Sequence, residues 1–229
     1  MLTIVPTPIG NLEDITLRAL TALRTADLVA AEDTRHSGIL LKHFEISKPF
    51  ISYHEHNEAS RTAELTTRMA EGLHVALITD AGMPGISDPG QRLIRACIAH
   101  GLPYTVLPGP CAAITAIVGS GLAGDSFHYG GFLPVKSGRR MAELTRAVER
   151  DPASVYYESP YRLVKSLAVL EEIAPHREVC VGRELSKKFE EYRRGIPQEL
   201  KQHFEAHPPK GEICLIVGEV KSKGKVAEE

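Results

Sequence analysis

The strongest constraint on the fold is an alternation that runs along most of the chain. Short runs of Val, Ile and Leu, too short for helices, alternate with longer stretches whose apolar residues recur every three to four positions. The runs at residues 2–5, 28–30, 50–53, 75–79, 104–107, 128–132, 154–158, 179–182 and 212–217 read as strands. The stretches at 17–25, 59–71, 89–100, 139–149, 161–174 and 197–207 read as helices. In the fifth of these, Leu163, Leu167, Leu170 and Ile173 share a face, and Ser159-Pro160 reads as an N-cap followed by proline at the first helical position. Strands that are apolar throughout belong in sheets covered on both faces, so the expectation is an α/β fold with largely parallel strands. A chain of 229 residues makes one large or two small domains. The aperiodic segment GSGLAGDSF at 119–127 marks a junction between domains at 1–120 and 121–220, with the cleft between them as the default ligand site. The polar stretch 221–229 reads as a disordered tail.

Several classes are excluded. No apolar run reaches the ~18–20 residues of a membrane span, and the start, MLTIVPTPIG, lacks the basic and long apolar regions of a secretory signal. Cys97, Cys111, Cys180 and Cys214 are scattered among apolar or small neighbours without a CxxC pair. They read as buried free thiols of a cytoplasmic protein with no metal centre. Against 29 Asp and Glu stand 27 Lys and Arg, a net charge of -2 that argues mildly against a general polyanion binder.

The glycine-rich segments are more informative. Gly119-x-Gly121-x-x-Gly124 has the letters of a dinucleotide fingerprint, but it follows a helix-like run and leads into a strand, the reverse of what that motif needs. The segment TDAGMPGISDPG at 79–90 leaves a buried strand and enters a helix, with Asp88 as the expected N-cap and Pro89 at the first helical position. It holds two aspartates and no basic residue before Arg92, which suits hydroxyls or a cation better than a triphosphate. PTPIGNLED at 6–14 and Pro108-Gly109-Pro110 complete a set of three loops. In a parallel sheet all three lie at the carboxyl ends of their strands, where open α/β sheets bind ligands.

The ordered blocks PTPIGNLEDIT, AAEDTRHS, SYHEHNE, ITDAGMPGISDPG, LPGPCAAIT, GGFLP, YYESPYRL, GRELSKKFEE and KGEICLIV resemble the S-adenosylmethionine-dependent tetrapyrrole-methylase superfamily, from residue 2 to about 218. Within it they are most similar to the branch that 2'-O-methylates the ribose of a decoding-region cytidine in bacterial 16S rRNA. The resemblance implies two α/β domains, a homodimer, S-adenosylmethionine in the interdomain cleft, and 16S rRNA or the small ribosomal subunit as partner. By position it assigns cofactor contacts to Pro8, Ile9, Gly82, Met83, Ile86, Ser87, Ala112, Ala113, Phe132, Glu158, Ser159, Arg183, Gly211 and Glu212. Corrin and porphyrin branches carry Gly-Asp-Pro where this chain has Gly82-Met83-Pro84, which weakens a tetrapyrrole reading. Longer members of the ribosomal branch tend to carry a further C-terminal helical segment beyond the point matching Glu229, and RNA affinity is the property it would affect. A small-molecule methylase and a non-catalytic ribosome-assembly factor are the competing readings.

Methyl transfer from a sulfonium to a hydroxyl is an in-line displacement. Holding the reactants in line supplies ~7–11 kcal/mol, and a general base adds ~10²–10⁴-fold. Candidates for the base and its partners lie in two polar segments after strands, Glu32 to His36 and Tyr53 to Asn57. Asp33 or His54 is the expected base, with Arg35 and Lys187 holding the RNA. The alternatives are a surface ion pair for Asp33 and Arg35, a solvated helix start capped by Asn57 for His54 and His56, and a solvated lysine for Lys187. Lys136, Arg139, Arg140 and Arg162 are the expected phosphate contacts, with further basic pairs at Lys187-Lys188 and Arg193-Arg194. The expected surface is segregated, acidic near the cofactor loops and basic at the rim.

Overall fold

The structure, a computed structural model, describes residues 1–220, so the expected tail at 221–229 lies outside the described residues. Two compact units are present, one of Met1–Cys111 and one beginning at Ala112.

In the first unit, β1 (Leu2–Ile4), β2 (Leu28–Ala31), β3 (Phe50–Ser52), β4 (Val75–Ile78) and β5 (Tyr104–Val106) form one parallel sheet in the order β3-β2-β4-β1-β5. Side chains alternate across a strand, and the core divides accordingly. Val29, Ala31, Ala76 and Ile78 face one way, onto Leu20 and Leu23 of α1 (Leu17–Thr25) and Leu40 and Leu41 of α2 (Thr34–His43). Leu28, Ala30, Val75 and Leu77 face the other, onto Leu65 and Met69 of α3 (Glu58–Ala70) and Leu93 and Cys97 of α4 (Gln91–Ala99). Burial on both faces is why these runs lack polar residues.

The second unit starts with α5 (Ala112–Ser120) and carries β6 (Phe127–Phe132), β7 (Ala153–Glu158), β8 (Val179–Arg183), β9 (Glu191–Gly195) and β10 (Ile213–Val217) in the order β6-β7-β10-β8-β9. Leu144 of α6 (Ser137–Glu149), Leu163, Leu167 and Leu170 of α7 (Leu163–Ile173), and Leu200 and Phe204 of α8 (Pro197–Ala206) build its core with Tyr156, Val181 and Leu215.

The expectation of largely parallel strands holds only for the first unit. In the second, β6 and β7 alone are parallel; β10 runs antiparallel to both β7 and β8, and β8 to β9. The boundary falls at Cys111/Ala112, ahead of the glycine-rich segment, because α5 packs on β7, β8 and β10. Residues 119–127 therefore connect elements inside the second unit. Arg194 ties off the end of α5 there, its Nε donating to the Ser120 carbonyl at 2.6 Å and its Nη2 to that of Gly119.

Two helix starts differ from expectation. Helix α4 begins at Gln91 with Gly90 as N-cap, at a φ of 144° that only glycine adopts readily. Asp88 is thus not a cap, and its carboxylate is left for other use. Helix α7 spans Leu163–Ile173 with Arg162 as N-cap, and the turn that leads into it is bonded from the Ser159 carbonyl to the Arg162 and Leu163 amides. Cys97, Cys180 and Cys214 are buried and Cys111 half-buried, and none of the four is joined in a disulfide. Among the described residues no His, Cys, Asp and Glu cluster could hold a metal ion, and no helix is long and apolar enough to cross a membrane.

Candidate active site

The three glycine- and proline-bearing loops of the first unit meet at the carboxyl edge of its sheet. The β1 and β4 loops are tied by reciprocal backbone bonds, Thr7 N–H to Gly82 O at 2.9 Å and Gly82 N–H to Thr7 O at 3.0 Å. The Thr7 hydroxyl adds a bond to the Thr79 carbonyl at 3.0 Å. The third loop closes against the first at Gly109, where a Cβ would stand 2.7 Å from Cβ of Pro6, so only glycine lets the two rigid segments touch. Past Gly82 the chain turns tightly, with Ile86 N–H on Met83 O at 3.2 Å, and then Ser87 adopts a left-handed φ of 62°. Pro8, Ile9, Gly82, Met83, Ile86 and Ser87 thus fall on one loop cluster.

Beside this cluster is a cavity of about 610 Å³ lined by Glu32, Glu55, Glu58, Ser87, Asp88, Arg92 and Arg95 with the Pro89–Gln91 turn. Its carboxyls differ in state. Burial, and then the charge of Asp80, raises Glu32 above the ordinary carboxylate range, although the Asp80 amide donates to it. Asp88 is pushed up to about 7, first by burial and then by Glu32 and Asp80.

In the second unit Glu158 has no exposed side-chain surface. It accepts from the Ser159 amide at 2.7 Å, Arg162 Nε at 2.9 Å and the Ser166 hydroxyl at 2.6 Å. Lys187 Nζ bridges Glu184 at 2.9 Å and Glu212 at 3.0 Å. Burial works against its charge, but the two carboxylates outweigh that and raise its pKa. Arg183 Nε donates to Glu191 at 3.2 Å. Phe132 is largely exposed, with its ring edge-on to Tyr157.

The profile of the tetrapyrrole (corrin/porphyrin) methylases matches residues 1–201. The chain belongs to the tetrapyrrole methylase family. Among curated members, the proteins named ribosomal RNA small subunit methyltransferase I are similar across most of their length. That of Synechocystis is 45% identical, covering 95% of this chain and 78% of the relative. That of Mesorhizobium japonicum is 47% identical, covering 96% and 76%, and that of Escherichia coli O157:H7 is 47% identical, covering 93% and 76%. Two solved structures share the fold: the methyltransferase CobJ at a TM-score of 0.71 and 19% identity, covering 97% of this chain and 95% of its own, and uroporphyrin-III-C-methyltransferase from Thermus thermophilus at 0.65 and 21%, covering 95% and 93%.

Of the expected catalytic residues, Asp33, Arg35 and His54 lie in the first unit, where the charges of Asp33 and His54 both reach Glu32, and Lys187 lies in the second. Asp33 caps α2 and is chelated by Arg35, with Nε at 3.1 Å and Nη2 at 2.7 Å, a pair in which the Arg35 side chain is 89% exposed. The guanidinium and the Arg35 amide hold the Asp33 carboxyl well below the usual carboxylate range, which makes it a weak base. Nε2 of His54 lies 3.2 Å from Asn57 Nδ2, and its Nδ1 is buried with no hydrogen-bond partner among the described residues. Lys187 is held in its own carboxylate pair. Of the expected phosphate contacts, Lys136 and Arg139 are exposed at the start of α6. Arg140 is not available: it is 6% exposed, with Nη1 on the Val135 carbonyl at 3.3 Å. Arg162 is committed to Glu158. Sequence reasoning missed Glu32 as a carboxyl of raised pKa, and Arg95 at the cavity, because their neighbours come from other strands.

Proposed function

We propose that the protein transfers a methyl group from S-adenosylmethionine to the ribose 2'-hydroxyl of a decoding-region cytidine, cytidine 1402, in 16S rRNA. The observation that carries this is the 45–47% identity, over 93–96% of the chain, to proteins named for methylation of small-subunit ribosomal RNA.

The residues present fit the cofactor. The β4 loop offers backbone amides and carbonyls beside apolar Ile9 and Met83, suited to hydroxyls and an amino group, and has no cation before Arg92 to repel a sulfonium. The Thr79 hydroxyl is buried there with no hydrogen-bond partner among the described residues. In the first unit Pro8, Ile9, Gly82, Met83, Ile86 and Ser87 would hold it; the other contacts that the resemblance assigns, Ala112, Ala113, Phe132, Glu158, Ser159, Arg183, Gly211 and Glu212, belong to the second unit. Glu158, buried and bonded to three donors, acts by shaping the wall, while Glu212 keeps a largely exposed carboxylate beside Lys187. When bound, S-adenosylmethionine supplies a methyl group on an activated sulfur leaving group. The chain's own task is positioning: the bridged loops fix the edge of the site, and exposed Lys136 and Arg139, with the amides opening α6, draw in phosphates.

The substrate reading also entails a cytoplasmic protein acting on the small ribosomal subunit or its rRNA. We further propose a homodimer, which the exposed apolar residues Tyr104 and Val106 on edge strand β5 favour. Calorimetry with S-adenosylmethionine, followed by labelled methyl transfer to small-subunit particles, free 16S rRNA and a uroporphyrinogen, tests the reading. Cofactor binding with label in the rRNA is expected. Binding without transfer to any RNA, or transfer to the porphyrinogen, would overturn it.

A further inference from the structure

The cavity beside the cofactor loops contains one half-buried carboxylate that the fold does not use. Asp33 is paired with Arg35, Glu58 with Arg92 at 3.3 Å, Glu32 accepts the Asp80 amide, and Asp80 accepts the Asp33 amide at 3.2 Å. Asp88 has no hydrogen-bond or ion-pair partner among the described residues, lines the cavity and directly follows Ser87, an expected cofactor contact.

We propose that Asp88 is the general base of the methyl transfer, in a cavity that receives the target nucleoside; this rests on the rRNA ribose methyltransferase reading above. The ribose O–H bond breaks with its proton passing to an Asp88 carboxylate oxygen. The hydroxyl oxygen bonds to the methyl carbon as the carbon–sulfur bond breaks, and that electron pair returns to sulfur. The proton leaves Asp88 for water after product departs.

Three properties support the assignment. The volume, about 610 Å³, falls within the ~300–1,000 Å³ typical of small-ligand sites. The lining is mixed: it includes four carboxyls, while Arg95 on α4 is exposed with no ion-pair partner among the described residues and can meet a phosphate flanking the nucleoside. The groups facing Asp88 are Glu32 and Asp80 from the β2 and β4 ends, Glu55 from the β3–α3 turn, Glu58 from the start of α3, and Arg92 and Arg95 from α4. Both of the arginines lie on the helix that follows, and the charges acting most strongly on Asp88 are the two like ones. A half-buried carboxylate among like charges is a stronger proton acceptor than one in water, and a base is most effective with a pKa near the working pH.

Single-turnover methylation of small-subunit particles at saturating S-adenosylmethionine, measured from pH 5.5 to 9, tests this with Asp88→Asn, Asp88→Glu and Glu32→Gln. The wild-type rate is expected to fall as pH drops through the Asp88 titration. Asp88→Asn should lose ~10²–10⁴-fold and the acid limb, with cofactor affinity unchanged by calorimetry. Asp88→Glu should restore part of both, and Glu32→Gln should move the limb to lower pH. An activity-independent readout is the carbon-13 resonance of the Asp88 carboxyl in cofactor-free protein, expected to titrate near 7. Transfer by wild type with Asp88→Asn within threefold, or an Asp88 resonance titrating near 4, overturns this inference alone. Absence of transfer by wild type overturns it together with the function on which it rests.

Discussion

Replacing Arg162 with alanine separates a structural role from an RNA contact. Arg162 reaches Glu158 through Nε at 2.9 Å, and the Glu158 side chain has no exposed surface while that of Arg162 is 22% exposed. The substitution leaves a buried carboxylate with two donors, the Ser159 amide and the Ser166 hydroxyl. Breaking a fully buried pair costs ~3–5 kcal/mol, and a hydrogen bond to a charged group is worth ~1.5–3 kcal/mol. Because two donors remain and Arg162 keeps some solvent, the lower range applies, and we expect a loss of about 2–3 kcal/mol. At ~2–4 °C per kcal/mol for a chain of this size, Tm should drop by roughly 4–12 °C in scanning calorimetry. Filter binding of rRNA at several salt concentrations, below the transition, should show an unchanged salt slope. An unchanged Tm with a salt slope smaller by about one would refute the reasoning and return Arg162 to the RNA face.

Gly109→Ala should force Pro6 and the loop after β5 apart, because the new Cβ would meet backbone-anchored proline carbon at 2.7 Å. We expect destabilisation of ~1–3 kcal/mol in urea denaturation and weaker binding of S-adenosylmethionine by calorimetry. Arg95→Ala should weaken rRNA binding and reduce the salt slope by about one without changing Tm. Asp88 also predicts a pH dependence of stability. Its folded pKa, about 7, stands above the unfolded value, so between about 4 and 7 the folded state binds more protons and stability falls as pH rises through that window. Asp88→Asn should therefore be more stable than wild type at pH 8, by a few degrees in Tm given the partial exposure, and indistinguishable at pH 4.

The first sheet was legible because its inner strands β2 and β4 are buried on both faces, which removes polar residues and leaves short apolar runs. The site edge was legible for a related reason: Gly82, Gly85, Gly90 and Gly109 mark turns and close approaches that other residues resist. Strand β9 was not, since its sequence, EYRRG, carries the charges of an edge strand and no apolar alternation. Helix α2 was obscured because only Leu40 and Leu41 among its apolar side chains are buried, while Ile39 is exposed. The antiparallel order of the second sheet depends on which strands pair across distant segments, and that leaves no local mark. The acid–base candidates show the same limit. Asp33 is neutralised by a residue two positions away, a fact visible in the sequence. The state of Asp88 is set by burial and by Glu32 and Asp80, which arrive from other strands, and Arg140 looks identical to Arg139 until the fold buries it.

Mapping the transferred methyl group tests the central claim most directly. Small-subunit particles lacking the modification are treated with the protein and S-adenosylmethionine, and the 16S rRNA is hydrolysed in alkali. The account predicts one labelled, alkali-resistant dinucleotide beginning with the decoding-region cytidine, because methylation removes the 2'-hydroxyl that cleavage requires. Label released as a base-methylated mononucleotide, or found in no rRNA at all, would contradict it.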